Sequence, residues 1–457
     1  MQEAAGLTQA QVPRPRLRDR KVDLAALVAA LCVVITAMRF SIHLSITAGT
    51  LVGVALAPVW FSNLGRFRGA RALILLVGAA ALAGLWLTDL ASADHQTSST
   101  LSLTVTVNLL NFALLIGLVL WARTLLSRPV VGMLAGAGML LGISTDGRFA
   151  ENPWRFGFAG PVTVLLLAAA WYSGRRSLEV LAAVVLAAAC ALSGARSMFA
   201  MLLLAAIMVT WVAIPRPHTR AGSRFRIVLF AALLGFGIYQ VGQGLILDGY
   251  LGEQTQLRTE QQVEQSGSLI LGARPEAAAT AALMVRRPWG YGAGTQADGS
   301  DVVAAKSGMA ELNYDPQNGY VEDYMFGRGI ELHSTVGDMW AAFGPVGVLL
   351  AGTVVVFVVR GLTGELAHRT ASALMVYLAV RSLWETFFGP FYSAMILLGV
   401  TVALLIPLST ALPGRPAPAQ GARASRTGPR PQPRATVQAG VPGGAVETAD
   451  GRRLYSE

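Results

Sequence analysis

Charge and thiols are scarce in this chain, and each scarcity excludes something. Only 14% of the 457 residues are charged, while 54% are hydrophobic and mean hydropathy is +0.53. That balance excludes an ordinary soluble domain. The two cysteines, Cys32 and Cys190, both fall inside apolar runs. They read as small packing residues, which excludes a disulfide framework or a thiolate metal site. A net charge of +10 does not imply nucleic acid as a partner. The basic residues lie in short turns and at the two ends, not on one face with interleaved aromatics. No internal repeat is visible, which weakens a transporter built from duplicated halves. No cleavage motif follows the first apolar run, so that run is read as an anchor. There is no His/Cys/Asp cluster with metal-ligand spacing, and the Gly290–Gly294 glycines follow no strand, so they are not a dinucleotide or phosphate loop.

What is present is a series of apolar runs long enough to cross a bilayer, whose core of about 30 Å takes about 20 helical residues. Twelve are predicted: 24–38, 44–61, 70–87, 101–121, 129–143, 157–172, 178–194, 197–214, 227–242, 341–359, 371–386 and 390–411. The basic residues test their orientation. With the N-terminus cytoplasmic, 25 of the 36 Lys and Arg fall in cytoplasmic turns and tails, as the positive-inside rule requires. The expected fold is therefore all-α, a polytopic helical membrane protein of about 12 spans. Residues 1–23 form a cytoplasmic basic tail and 24–242 carry helices one to nine. Residues 243–340 are a large extracytoplasmic loop, 341–411 carry helices ten to twelve, and 412–457 are a disordered cytoplasmic tail.

The long loop is the polar interruption in an otherwise apolar chain, and ionisable groups near a bilayer usually have a function. It carries Arg274, then Arg286 and Arg287 ahead of Pro288-Trp289-Gly290-Tyr291-Gly292-Ala293-Gly294, then His333. Other outer turns add Arg39 and His43, Arg148, Glu151, Asn152 and Arg155, and Arg196; Arg381 lies near the outer end of the eleventh span. Guanidinium groups bind phosphate bidentately and stay ionised when partly desolvated. Several converging would hold a diphosphate and stabilise charge on it as a leaving group. His333 is suited to take a proton from an attacking hydroxyl, and Asp338, about one turn on, to orient its ring. Bland roles stand beside these. Outer arginines also serve as interfacial anchors, Arg381 has Glu385 one turn on, His95 sits in an ordinary loop, and Glu322 and Asp323 read as solvated surface. ATP and nucleotide-sugars are absent outside the membrane, so a reaction there needs a membrane-activated donor.

These residues, in this order and on this side, resemble the O-antigen ligase / O-antigen polymerase superfamily. Its members show an Arg, a Pro-x-Gly-x-Gly segment about fourteen residues on, and a His opening the helix after the large periplasmic loop. Here those are Arg274, Pro288 to Gly292 and His333. Ser193-Gly194-Ala195-Arg196-Ser197 is similar to the family's Ser-Arg turn, and Gly147 to Pro153 to its outer Asn-Pro turn. The resemblance implies a GT-C-like, metal-independent, inverting glycosyltransferase with no cofactor. Its donor would be a glycan on undecaprenyl diphosphate, and its acceptor a hydroxyl of another glycan or wall polymer. His333 would be the base, and Arg196 and Arg274 would hold the diphosphate with Arg286, Arg287 and Arg148 assisting. Rival readings are a lipid-linked glycan flippase or transporter, a polyprenyl-phosphate-sugar transferase, and a structural subunit of an envelope complex. The second needs a carboxylate in the first outer turn, where this chain has Arg39-Phe40-Ser41-Ile42-His43.

Overall fold

A computed structural model describes residues 23–145, 147–214, 274–315, 317, 319–327 and 329–409, with 229–230, 233–235 and 237 as helical fragments. Both tails, most of the ninth expected span and residues 243–273 lie outside the described residues. The described residues are all-α apart from a two-stranded hairpin. Its elements are α1 (Leu24–Met38), β1 (Ser41–His43), β2 (Ile46–Thr47), α2 (Ala48–Ala55), α3 (Ala57–Asn63), α4 (Ala70–Ala91), α5 (Ser99–Ala122), α6 (Arg128–Leu141), α7 (Ala159–Tyr172), α8 (Arg176–Leu192) and α9 (Arg196–Ala213). After the undescribed stretch come α10 (Glu276–Arg286), α11 (Gly299–Ala310), α12 (Thr335–Ala367), α13 (Ala373–Phe388) and α14 (Phe391–Leu405).

Five of these helical stretches are long and apolar enough to cross a membrane: Ala70–Ala91, Ser99–Ala122, Trp154–Tyr172, Arg196–Ala213 and Thr335–Ala367. The second expected span is not one straight helix. It opens as the β1–β2 hairpin, then continues as α2 and α3 bent by 68°. Pro58, in the first turn of α3, has no N–H to continue the α2 ladder, which forces the break. Side-chain caps begin several helices: Asp23 on α1, the Thr47–Thr50 capping box on α2, Ser98 on α5 and Ser372 on α13. Each satisfies an N–H that the helix cannot reach.

The arginines of the short turns have partners that explain why they cluster at one end of the bundle. Arg123 donates to the carbonyls of Ala403 and Ile406, Arg176 to Ala371, and Arg369 to Trp211 and Val212. These are carbonyls at or beyond helix C-termini, which lack intrahelical donors. Arg128 pairs with Glu365 at 2.6 Å. At this end α5, α9, α12 and α14 finish, while α6, α8 and α13 begin. The opposite end gathers the finish of α4 and α13 with the starts of α5, α12 and α14.

Residues 274–332 are more than a polar loop. The antiparallel pair α10–α11 and the segments around it bury Ala279, Leu283, Tyr291, Ala305, Met309, Val321, Met325, Leu332 and Trp340 as a second small core. Gly308 lets the helices touch, because a Cβ there would stand 2.5 Å from the Ala278 carbonyl oxygen. The glycine-rich segment then threads between α4, α5 and α12. Gly294 accepts from Ser98 N–H at 2.8 Å, and its own N–H donates to Thr88 at 2.9 Å. The N–H groups of Tyr291 and Gly292 both donate to the Ala341 carbonyl, at 2.8 and 2.9 Å. Pro345 explains why that carbonyl is free, since four residues after Ala341 it has no N–H to give. Gly344 breaks α12 there, with φ +60° and ψ −149°. These glycines are thus a packing seam.

Candidate functional site

The chain enters α12 through Leu332 and His333. His333 adopts φ +51°, a left-handed conformation uncommon for residues other than glycine. Ser334 then caps α12, accepting the Gly337 N–H at 3.0 Å. The turn is clamped from behind by Asp338, whose two oxygens accept the N–H groups of Leu332 and Phe391, both at 2.7 Å. Thr335 adds a bond to the Gly389 carbonyl at 3.0 Å. Asp338 therefore does not orient the imidazole, as its spacing suggested. Two converging backbone donors occupy its carboxylate, and it fixes the main chain on which His333 stands.

The imidazole packs instead on Tyr320, with ring centroids 5.8 Å apart and planes at 39°. Its Nδ1 is buried without a hydrogen-bond partner among the described residues. Tyr320 donates to Glu276 Oε1 at 2.6 Å. Burial, together with the neighbouring Glu276 charge, raises the pKa of this phenol, so it stays a neutral donor. Glu276 is 7% exposed, and its other oxygen is also buried without a partner among the described residues. A buried polar atom left unpaired costs about 1–3 kcal/mol, so two of them beside one tyrosine mark a place built to receive polar groups.

Arg274 lies next to these residues. Its guanidinium stands over the rings of Trp384 and Phe388 on α13, at 5.9 and 5.7 Å, and its charge acts on the Tyr320 hydroxyl. Arg381, on the same helix, pairs with Glu385. Arg196 is the first residue of α9, which packs along α13. The structure thus brings together His333, Arg274, Tyr320 and Glu276 at one end of the bundle. Tyr320 and Glu276 escaped the sequence reading because neither belongs to a motif; only their contacts single them out.

The remaining arginines go elsewhere. Arg286 lies 3.3 Å from Asp301 and donates to Ser300. Arg287 donates to Asp94 at 2.8 and 3.2 Å and to the Gly290 carbonyl at 3.1 Å. Both were expected to assist at a diphosphate, yet carboxylates already compensate them. Arg148 pairs with Glu151 at 3.3 Å and covers the Phe156 ring at 4.1 Å. With Arg39 it lines a separate pocket of about 390 Å³ between the ends of α1, α6, α7 and α14. Neither His333 nor Arg274 lines that pocket.

His95 is not an ordinary loop residue. Its ring bridges Asp94 at 2.8 Å and Asp301 at 3.0 Å, stands 3.1 Å from the Arg287 guanidinium and meets Tyr291 edge to face. Asp94 is held down to about 2, first by its bond from Arg287 and then by His95. Asp298 is held below its ordinary value, first by its Ser300 bond. Tyr291 is raised by burial and by Asp301, to which it donates at 2.9 Å. His95, Asp298 and Asp301 offer ligand atoms within 4.8 Å of one another, so by residue type they suit a cation. Most of their oxygens are already used, however. Asp298 caps α11 through Ser300 and Asp301, and Asp301 accepts from Tyr291, His95 and the Asp298 N–H. The cluster works as a latch between the α4–α5 turn and the α10–α11 pair.

A scan of protein-family models, a search of curated proteins and a search of solved structures return no match to this chain. Around His333 the structure gathers an imidazole, the Arg274 guanidinium and buried polar atoms without partners among the described residues, at one end of an apolar helical bundle.

Proposed function

We propose that the chain is an integral membrane glycosyltransferase of the O-antigen ligase or polymerase type. In this reading it is a GT-C-like protein of about twelve spans in the bacterial cytoplasmic membrane, with both termini cytoplasmic and the site outside. It moves a glycan from undecaprenyl diphosphate to the hydroxyl of a glycan or wall-polymer acceptor. The observation that carries the reading is the buried, unpaired Nδ1 of His333, fixed at the head of α12 with Arg274 beside its Tyr320 neighbour.

The chemistry follows from those groups. The acceptor oxygen attacks the anomeric carbon while its proton passes to the imidazole of His333. The bond from that carbon to the diphosphate oxygen breaks with inversion. The lipid diphosphate departs carrying its negative charge, which Arg274 and Arg196 stabilise. Arg286, Arg287 and Arg148 stand beside Asp301, Asp94 and Glu151, so in this reading the diphosphate falls chiefly to Arg274 and Arg196.

The test is the lipid-linked glycan of cells lacking this protein, complemented with wild type or with His333→Ala. Accumulation of outward-facing lipid-linked glycan in both null and His333→Ala cells is expected. Single repeats on the lipid identify a polymerase and long chains a ligase. Normal glycans in the His333→Ala cells would overturn the assignment, and glycan held on the cytoplasmic face of the null would favour a flippase.

A further inference from the structure

We infer that the tyrosines beside His333 form the subsite for the acceptor glycan: a sugar ring stacks on Tyr324, and the chain passes Tyr320 to bring its terminal hydroxyl to His333, with Glu276 holding a neighbouring hydroxyl. This deepens the glycosyltransferase reading and rests on it.

Tyr324 is 68% exposed yet is held in place. It sits in a wide π-helical turn, Val321–Met325, whose two end residues are buried in the small core while the three between them face outward. One face of Tyr324 stacks on Tyr320, with centroids 5.6 Å apart and planes at 26°. Tyr320 in turn receives the edge of Tyr314 and packs on His333. The Tyr324 and His333 rings are therefore at most about 11 Å apart, a span that a short oligosaccharide covers. Glu322, two residues before Tyr324, is paired with Lys306. Sugars present C–H groups to aromatic faces and hydroxyls at their edges. A rigid exposed tyrosine beside a carboxylate with a buried, unused oxygen offers both kinds of contact. An interfacial membrane anchor would also explain an exposed tyrosine, but it gives no role to the unpaired oxygen of Glu276.

The experiment uses full-length purified protein carrying His333→Ala, so that nothing turns over. The probe is oligosaccharide released by mild hydrolysis from the source bacterium's own surface polysaccharide, titrated by calorimetry. Binding is expected. Adding Tyr324→Ala or Tyr324→Leu should weaken it about tenfold, the loss of one aromatic contact, and Tyr324→Trp should restore it. Glu276→Gln should weaken it without lowering thermal stability to the same degree. Tyr324→Leu keeps an apolar membrane anchor and removes only the flat face. No binding to the His333→Ala protein, or unchanged binding after Tyr324→Ala, overturns the subsite. If His333→Ala is inactive in cells while Tyr324 variants bind normally, only the subsite fails. If His333→Ala cells transfer glycan normally, the glycosyltransferase reading fails first.

Discussion

Replacing Gly292 with alanine should damage both the fold and the site, and its cost can be worked from the geometry. Gly292 has φ +105°, where a residue with a Cβ is strained by about 1–3 kcal/mol. An added Cβ would also stand 2.7 Å from the Leu87 carbonyl carbon and from the Thr88 Cα. Both are main-chain atoms of α4, so neither can swing aside, and overpacking of this kind costs about 1–3 kcal/mol more. The two effects together reach about 2–6 kcal/mol, which also places the Gly292 bond to Ala341 at risk. Because that bond ties the seam to the first half of α12, His333 should lose its footing with it. The assay compares thermal unfolding of purified wild-type and Gly292→Ala protein in one detergent at one scan rate, alongside glycan transfer in complemented cells. Gly352→Ala is the control. That glycine is exposed on α12 with nothing within 4 Å of an added Cβ, so its effect should stay within about 1 kcal/mol. A Gly292→Ala protein as stable as wild type would refute the claim that the glycine segment is a close-packed seam.

Arg274→Ala should abolish most transfer and leave lipid-linked glycan to accumulate, whereas Arg286→Ala should mainly lower stability, because its partners are Asp301 and Ser300; equal transfer defects in the two strains would contradict the division drawn here. Asp94 is held below its ordinary value of 3.8, down to about 2, so the stability it adds is fully present above about pH 4 and is lost as pH falls toward 2. The melting temperature of wild type should therefore fall more steeply than that of Asp94→Asn below pH 4. The difference should be small, since the Asp94 side chain is more than half exposed and solvent screens it.

Much of the fold was legible in the chain itself. Span-length apolar runs predict helices at 70–87, 101–121 and 197–214, and the structure has them at Ala70–Ala91, Ser99–Ala122 and Arg196–Ala213, because no open strand or loop hides backbone polar groups from lipid; the short basic turns fall where helix C-termini need donors. The breaks at Pro58 and Gly344-Pro345 were not foreseen, since 44–61 and 341–359 read as unbroken spans. His333 and Arg274 stood out as ionisable groups in the one long polar interruption of an apolar chain. Only tertiary structure decided what surrounds them. Tyr320 and Glu276 lie 44 residues apart, and nothing local ties one to the other. Asp338 looked like a partner for His333 from spacing along a helix, yet the start of α14 arrives from 53 residues away to take one of its oxygens. Arg286 and Arg287 looked free until folding carried Asp94, His95 and Asp301 to them. Spacing along a chain reports neighbours within a turn or two of helix. Whether a charge is spent on a carboxylate of another segment or left for a substrate depends on contacts beyond a turn or two of helix, up to 193 residues away for Arg287 and Asp94, and those exist only in the folded molecule.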